Sequence, residues 1–188
     1  MEGLVADGVV VRRRGLGTTV ARTGLRTSLI HQIDPRSQRS APSGFLEVLA
    51  TRVAGAEDFT PSQHLFDPGT PCAEIHRLRR SPAGAPLVLE HSVVSLSYAP
   101  AILDAELTGV ATIDYYTAAG LPIHRIGSEF HAVHLTTEQS RALSLAPDRP
   151  VIKQLRRVYA DAQTCVEAAE FYFHPHQLTL EVSNRVPQ

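Results

Sequence analysis

Arg77 and Arg79 carry the clearest chemical signal in the sequence. They lie in Ile75-His-Arg-Leu-Arg79, and Leu87-Val-Leu-Glu90 follows a short turn later. Residues two apart on an extended strand project from the same face, so the two guanidiniums point the same way. Their flanks are strongly apolar, which sets them apart from an ordinary wet surface. Two guanidiniums facing a cavity suit a carboxylate or a phosphate, because the planar fork can bind either one bidentately. Glu90 on the next strand supports a second reading, a cross-strand Arg–Glu pair that satisfies itself. Both readings stay open at this level.

Two other constellations stand out. Arg12-Arg-Arg-Gly-Leu-Gly-Thr18 combines a tight glycine turn with three arginines. Glycine lets a main chain approach closely and guanidinium supplies charge, which suits backbone phosphate or a minor groove. The same segment also reads as a plain exposed hairpin. Near the C-terminus, Glu167, Glu170, Phe173, His174 and His176 cluster. His174 and His176 could share a strand face as metal ligands, whereas His131 and His134, three apart, would point to opposite faces. With nine histidines in the chain such pairs arise by chance, and no metal or other cofactor is expected. Walker loops, Gly-x-Ser-x-Gly, His-Glu-x-x-His and Cys-x-x-Cys are absent from the sequence.

The frame that must position these residues follows from composition and pattern. At 188 residues the chain suits about one domain of ~150 residues with an appendage. Hydrophobic residues make up 43% and charged residues 20%, which excludes wholesale disorder, collagen and a disulfide-stapled miniprotein. No apolar run reaches the ~18 residues of a membrane span, and the first residues do not read as a signal peptide. Cys72 and Cys165 are too few and too isolated for a disulfide framework, so a cytoplasmic location is expected. Charge is asymmetric. Residues 1–40 hold seven arginines against Glu2, Asp7 and Asp34, a balance of +4. Residues 41–188 hold eleven basic residues against sixteen acids, a balance of −5, giving the net −1.

Residues 8–21 place two β-branched runs around a Gly-x-Gly turn and predict a hairpin. Residues 22–44, rich in Arg, Ser, Thr and Pro, read as a linker. Strands are predicted at Phe45–Val53, Ala73–Arg79, Pro86–Leu96, Ile123–Leu135, Val151–Tyr159, Thr164–Phe173 and Gln177–Val182. Helices are predicted at Glu57–Leu65, Pro100–Leu107, Thr112–Ala119 with Gly120 as its stop, and from Thr136 to Leu143. Strands joined by hairpins with helices between them give an antiparallel sheet in an α+β domain.

In this order the segments resemble the UTRA effector-binding domain of GntR-type bacterial transcription regulators of the HutC subfamily. The likeness runs from about Phe45 to Val182 and rests on Arg77-Leu-Arg79, Glu90, Pro150-Val-Ile, Arg157-Val-Tyr159 and Val166-Glu167. Arg13, Gly15, Gly17, Thr18 and Val20 resemble the wing of the family's winged helix-turn-helix. The resemblance implies a chorismate lyase-like fold and a homodimer. It implies a small-molecule effector, anionic by the paired arginines, whose binding changes affinity for operator DNA. It divides the chain into a wing remnant over 1–21, a linker over 22–44 and the UTRA domain over 45–185. The implied ligand-binding residues are Arg77, Arg79, Glu90, Thr112, Asp114, Glu167 and Phe173. The implied DNA contacts are Arg12, Arg13, Arg14, Gly15 and Thr18.

The sequence departs from the family pattern in places. The family's Ser-x-Tyr appears as Thr112-Ile-Asp114, and the end of the late strand reads His174-Pro-His176. Few residues precede Arg12, too few for the helices of a complete head, so weak or no operator binding is expected of this chain. Two other readings are a chorismate lyase-like enzyme on the same fold and a headless dimerisation partner of a full-length regulator. The wing favours the regulator, and no catalytic residues are expected.

Overall fold

The computed structural model describes residues 10–13, 17–20, 25–28, 44–59, 65–108 and 111–181. In chain order the strands are β1 (Val10–Arg13), β2 (Gly17–Val20), β3 (Leu25–Ser28), β4 (Phe45–Gly55), β5 (Pro71–Arg80) and β6 (Pro86–Ser95). Helix α1 (Thr112–Ala118), β7 (Arg125–His134) and helix α2 (Thr137–Ala142) follow, then β8 (Pro150–Tyr159), β9 (Cys165–Phe173) and β10 (Leu178–Glu181). Six strands form one sheet in the order β4-β5-β6-β9-β8-β7, and every neighbouring pair is antiparallel.

Pattern explains the order. β6 and β9 have the longest buried runs and lie at the centre, covered on both faces. β4 and β7, which are mostly exposed, form the edges. Chain reversals use local chemistry. Between β5 and β6, Gly84 takes φ +85° and its N–H donates to the Ser81 carbonyl at 2.9 Å, a conformation glycine adopts without penalty. After α1, Gly120 at φ +67° donates to Thr117 and Leu121 donates to Tyr116, the paired bonds of a Schellman stop. At the start of α2, the Thr136 hydroxyl accepts from the Gln139 N–H while the Gln139 amide oxygen accepts from the Thr136 N–H, so two orphan donors are satisfied at once.

Apolar clusters hold the layers together. On one face of the sheet, Ala73, Ile75, Val94 and Val158 pack under Ile102, Leu107, Ile113 and Tyr116 of α1 and the segment before it. Fully burying a side chain such as Ile102 or Ile113 contributes roughly 1.5–3 kcal/mol. Further along, Val88, Phe171 and Phe173 meet Leu178 of β10 and the half-buried Leu25 of β3. On the opposite face, Leu78, Leu89, Val151 and Tyr172 pack against Leu135 and Leu143, which bracket α2.

Several elements differ from expectation. Leu25–Ser28, inside the predicted linker, is a strand that pairs parallel with β10. The Leu25 N–H donates to Gln177 at 2.8 Å and its side chain joins an apolar cluster, gains that outweigh a polar local composition. β10 accordingly pairs outside the six-stranded sheet. The helix expected over Glu57–Leu65 is a single 3-10 turn at Ala56–Asp58, after which Phe59 is extended and fully buried; residues 60–64 lie outside the described residues. The helix expected over Pro100–Leu107 is one 3-10 turn at Ile102–Asp104. Its bonds run from each N–H to the carbonyl three residues back, Asp104 to Ala101 and Ala105 to Ile102, and beyond the turn the Leu107 carbonyl accepts from Arg77. The hairpin expected over 8–21 is present as β1 paired antiparallel with β2, Arg13 opposite Gly17; Arg14 and Gly15 lie outside the described residues.

Candidate ligand-binding site

Antiparallel register fixes which side chains share a face, since residues directly opposite one another project together. Four rows cross β5, β6, β9 and β8 on the face beneath α1. They are Arg79–Val88–Phe173–Ile152, Arg77–Glu90–Phe171–Gln154, Ile75–Ser92–Ala169–Arg156 and Ala73–Val94–Glu167–Val158. The rows place two buried arginines, Arg77 and Arg156, and two buried glutamates, Glu90 and Glu167, among mostly apolar neighbours, with Ser92 and Gln154 buried beside them and the half-buried Arg79 in the outermost row.

These interior charges are closely paired. Arg77 is 1% exposed and Glu90 5%. Arg77 Nη2 donates to Glu90 Oε1 at 2.6 Å and Nε donates to Oε2 at 3.2 Å, a bidentate fork. Arg77 Nη1 donates to the Leu107 carbonyl at 3.0 Å, and Ser92 Oγ donates to Glu90 Oε1 at 2.7 Å. Burial pushes the Glu90 carboxyl up, but the charge and hydrogen bonds of Arg77, with help from Arg156 and Ser92, outweigh it and hold the carboxyl below its ordinary range.

A second pair spans the next two rows. Arg156 donates through Nε at 3.2 Å and through Nη2 to Glu167 Oε1. Nη2 also donates to Thr112 Oγ1 at 2.9 Å. Tyr116 donates its hydroxyl to Glu167 Oε2 at 2.7 Å. Burial, then the adjacent Glu167 charge and hydrogen bond, push Tyr116 well above its ordinary pKa, so it remains a donor. The Arg156 guanidinium stacks over the Phe171 ring at 4.6 Å. Thr112 and Tyr116 are one helical turn apart, which is why α1 can lower both into the band.

Arg79 differs from its neighbours. It is half-buried, and it makes no hydrogen bond or ion pair among the described residues. Burial pulls its pKa down, the Glu90 charge opposes this, and the Arg77 charge adds to the fall. A guanidinium in that setting gains from an anion brought to it.

The predicted residues therefore separate. Arg77, Glu90, Thr112 and Glu167 belong to the interior band, and Arg79 lies one row beyond it. Phe173 is buried in the apolar cluster under β10. Asp114 lies apart from the band: it is exposed, and its Oδ2 accepts from the Ala111 N–H at 3.3 Å. Thr112 and Tyr116 turn inward, so the residue between them at mid-turn faces solvent and serves the helix start. His174 is also a local element, because its Nδ1 accepts from the backbone N–H groups of His176 and Gln177. Arg156, Tyr116, Ser92 and Phe171 were not anticipated. The available signal for Arg156 is its phase on β8, where Gln154, Arg156 and Val158 are buried at every second position.

Neither cysteine offers thiol chemistry: both are free and buried, and burial pushes each thiol up to about 11. Among the described residues, no helix is long and apolar enough to cross a membrane.

Comparison with known proteins agrees with this architecture. PhnF from Mycobacterium smegmatis superposes with a TM-score of 0.74 at 17% identity, over 99% of this chain and 82% of that one. The C-terminal domain of the histidine utilization repressor from Pseudomonas syringae gives 0.65 at 17% identity, over 76% and 98%. A ligand-binding domain from Bordetella bronchiseptica, described as that of a GntR-family transcriptional regulator, gives 0.60 at 16%, over 74% and 91%. At these identities the likeness establishes the fold. No match was found among curated protein sequences. The UTRA domain profile matches residues 46–179, most of the chain and the whole span from β4 to the start of β10, and the chain belongs to the UTRA domain family.

Proposed function

We propose that this chain is the effector-sensing part of a GntR-type transcription regulator of the HutC subfamily, and that its effector is a small anionic metabolite. Arg79 carries the reading, as a half-buried guanidinium without a partner among the described residues, beside a band in which the other buried charges are paired. Arg77, Glu90, Thr112 and Glu167 build and orient that corner. Phe173 closes its apolar side.

The remaining parts of the reading concern assembly. The antiparallel β1–β2 pair supports a wing over 1–21, with Arg12, Arg13, Arg14, Gly15 and Thr18 toward operator DNA. Residues 22–44 join it to the UTRA domain over 45–185, and β3 ties that joint to β10. Effector binding near β10 would then be felt in the segment leading to the wing. A homodimer acting in the cytoplasm completes the reading, and catalysis forms no part of it. The buried carboxylates of Glu90 and Glu167 are engaged by arginines, so neither is a free acid or base.

A thermal-shift screen of organic acids, sugar phosphates and uncharged analogues tests the reading. Stabilisation by one anionic class is expected, with no response to its uncharged analogues. Stabilisation by uncharged apolar compounds alone, or release of 4-hydroxybenzoate from chorismate, would contradict it.

A further inference from the structure

The face of the sheet turned away from α1 carries a second cluster. Glu74 and His76 lie two apart on β5, and His91 is directly opposite His76 on β6. Each is one residue out of phase with Arg77 or Glu90, so all three project from the other face. Glu74 Oε1 is 2.7 Å from His91 Nε2 and 3.2 Å from His76 Nε2. One donor atom from each residue lies within 4.8 Å of the others, and the imidazole centroids are 4.3 Å apart.

An ordinary hydrogen bond accounts for part of this. His91 Nε2 and Glu74 Oε1 form a good one. It does not account for His76, whose Nε2 is closed off from water and has no aligned hydrogen-bond partner. A closed-off nitrogen beside a carboxylate and a second imidazole is suited to coordinating a cation.

We propose that Glu74, His76 and His91 form a binding site for a divalent transition cation of the zinc type, through Glu74 Oε1 and the Nε2 atoms of both histidines. Tetrahedral zinc holds nitrogen and oxygen at about 2.0–2.2 Å, which puts ligand atoms roughly 3.3 Å from one another. The His76–Glu74 distance already matches, the ligand atoms all lie within 4.8 Å of one another, and His91 would draw back from its 2.7 Å hydrogen bond as the ion enters. Two imidazoles and one carboxylate favour zinc-like ions over magnesium or calcium, which take oxygen sets. The surroundings are also suitable. Arg52 Nε holds Glu74 Oε2 at 3.0 Å and leaves Oε1 for the ion. Glu170 Oε2 lies 4.0 Å from His91 Nδ1, and it is anchored by Lys153 Nζ at 2.9 Å and the Tyr172 hydroxyl at 2.8 Å. A carboxylate behind a ligating histidine is the usual outer partner of such an ion. Three protein ligands leave one position for water or an exogenous group. The site would clamp β5 to β6 directly behind the Arg77–Glu90 pair. It departs from the expectation that no metal would bind, because His76 and His91 are separated in sequence and only strand pairing brings them together.

The test titrates zinc(II) into the tag-free full chain, with cobalt(II) absorption as a coordination readout. One bound equivalent and the visible spectrum of a four-coordinate cobalt site are expected. His76→Gln and His91→Gln should each weaken binding by ~10-fold or more, at least the loss typical of outer-shell partners. His131→Gln, an exposed position on β7, should leave it unchanged. Circular dichroism checks that each variant is folded; if His91→Gln is not, the less buried His76→Gln decides. Failure to bind one equivalent, binding indifferent to His76→Gln and His91→Gln, or equal loss with His131→Gln would overturn the proposal.

Discussion

Arg77 and Arg79 share a strand, a face and a chemistry, yet they occupy opposite states. Arg77 sits in the interior band, where its guanidinium is committed to Glu90 and to the Leu107 carbonyl. Arg79 sits at the corner one row away, half-buried and without such commitments among the described residues. Desolvating a charge is costly, so a fully buried arginine persists only where geometry returns the lost hydrogen bonds. Partial burial is tolerated without a partner, and that tolerance leaves a charge available to a ligand. The interior band is scaffold and the corner is where affinity should reside.

The largest contrast should come from stability. Arg156→Ala leaves Glu167 buried with only Tyr116 as a neutral donor, and breaking a buried pair of this kind costs about 3–5 kcal/mol. Arg79→Ala should stay within about 0.5 kcal/mol, the ordinary range for a site outside such a network. Urea unfolding of both variants measures the gap. Equal losses would erase the distinction between band and corner.

The Glu90 pair should appear in the acid limb of the stability curve. Its folded pKa lies below the ordinary value, so the unfolded state takes up protons first as pH falls. The stability it contributes is present above the unfolded carboxylate pKa of about 4.3 and is lost as pH falls through the lower folded value. Glu90→Gln should be less stable near neutrality, where Arg77 loses its counter-charge. It should also lose less on further acidification than the wild type. Denaturant melts between pH 6 and 3 compare the two slopes, and parallel slopes would remove Glu90 from the account.

Tyr116→Phe should have a smaller effect. It deletes one hydrogen bond to a charged acceptor, worth about 1.5–3 kcal/mol, while Arg156 still holds Glu167. A loss as large as that of Arg156→Ala would mean that α1, and not the ion pair, holds the band together.

The sheet was legible in the sequence because its strands alternate or run apolar over eight or more residues, and Gly84 and Gly120 mark true reversals. The interior band was half legible. Arg77, Glu90 and Glu167 stood out as charges inside apolar strands, but Arg156 was hidden by its neighbour Arg157, since an Arg-Arg step does not say which member faces inward. Tyr116 was obscured because Asp114 looked the better polar candidate, although the helical period turns Asp114 outward. β3 was illegible because a parallel pairing between residues 25–28 and 178–181 depends on long-range closure and leaves almost no local pattern. The same limit concealed the Glu74–His76–His91 cluster.

Calorimetric titration of the most stabilising anion into wild type, Arg79→Ala and Arg79→Lys tests the central claim most directly. A charge-assisted contact of about 1.5–3 kcal/mol predicts at least ~10-fold weaker binding by Arg79→Ala at unchanged fold. Partial recovery is expected in Arg79→Lys, which keeps the charge but loses the fork. Undiminished affinity in Arg79→Ala would contradict the account and move the effector away from this corner of the sheet.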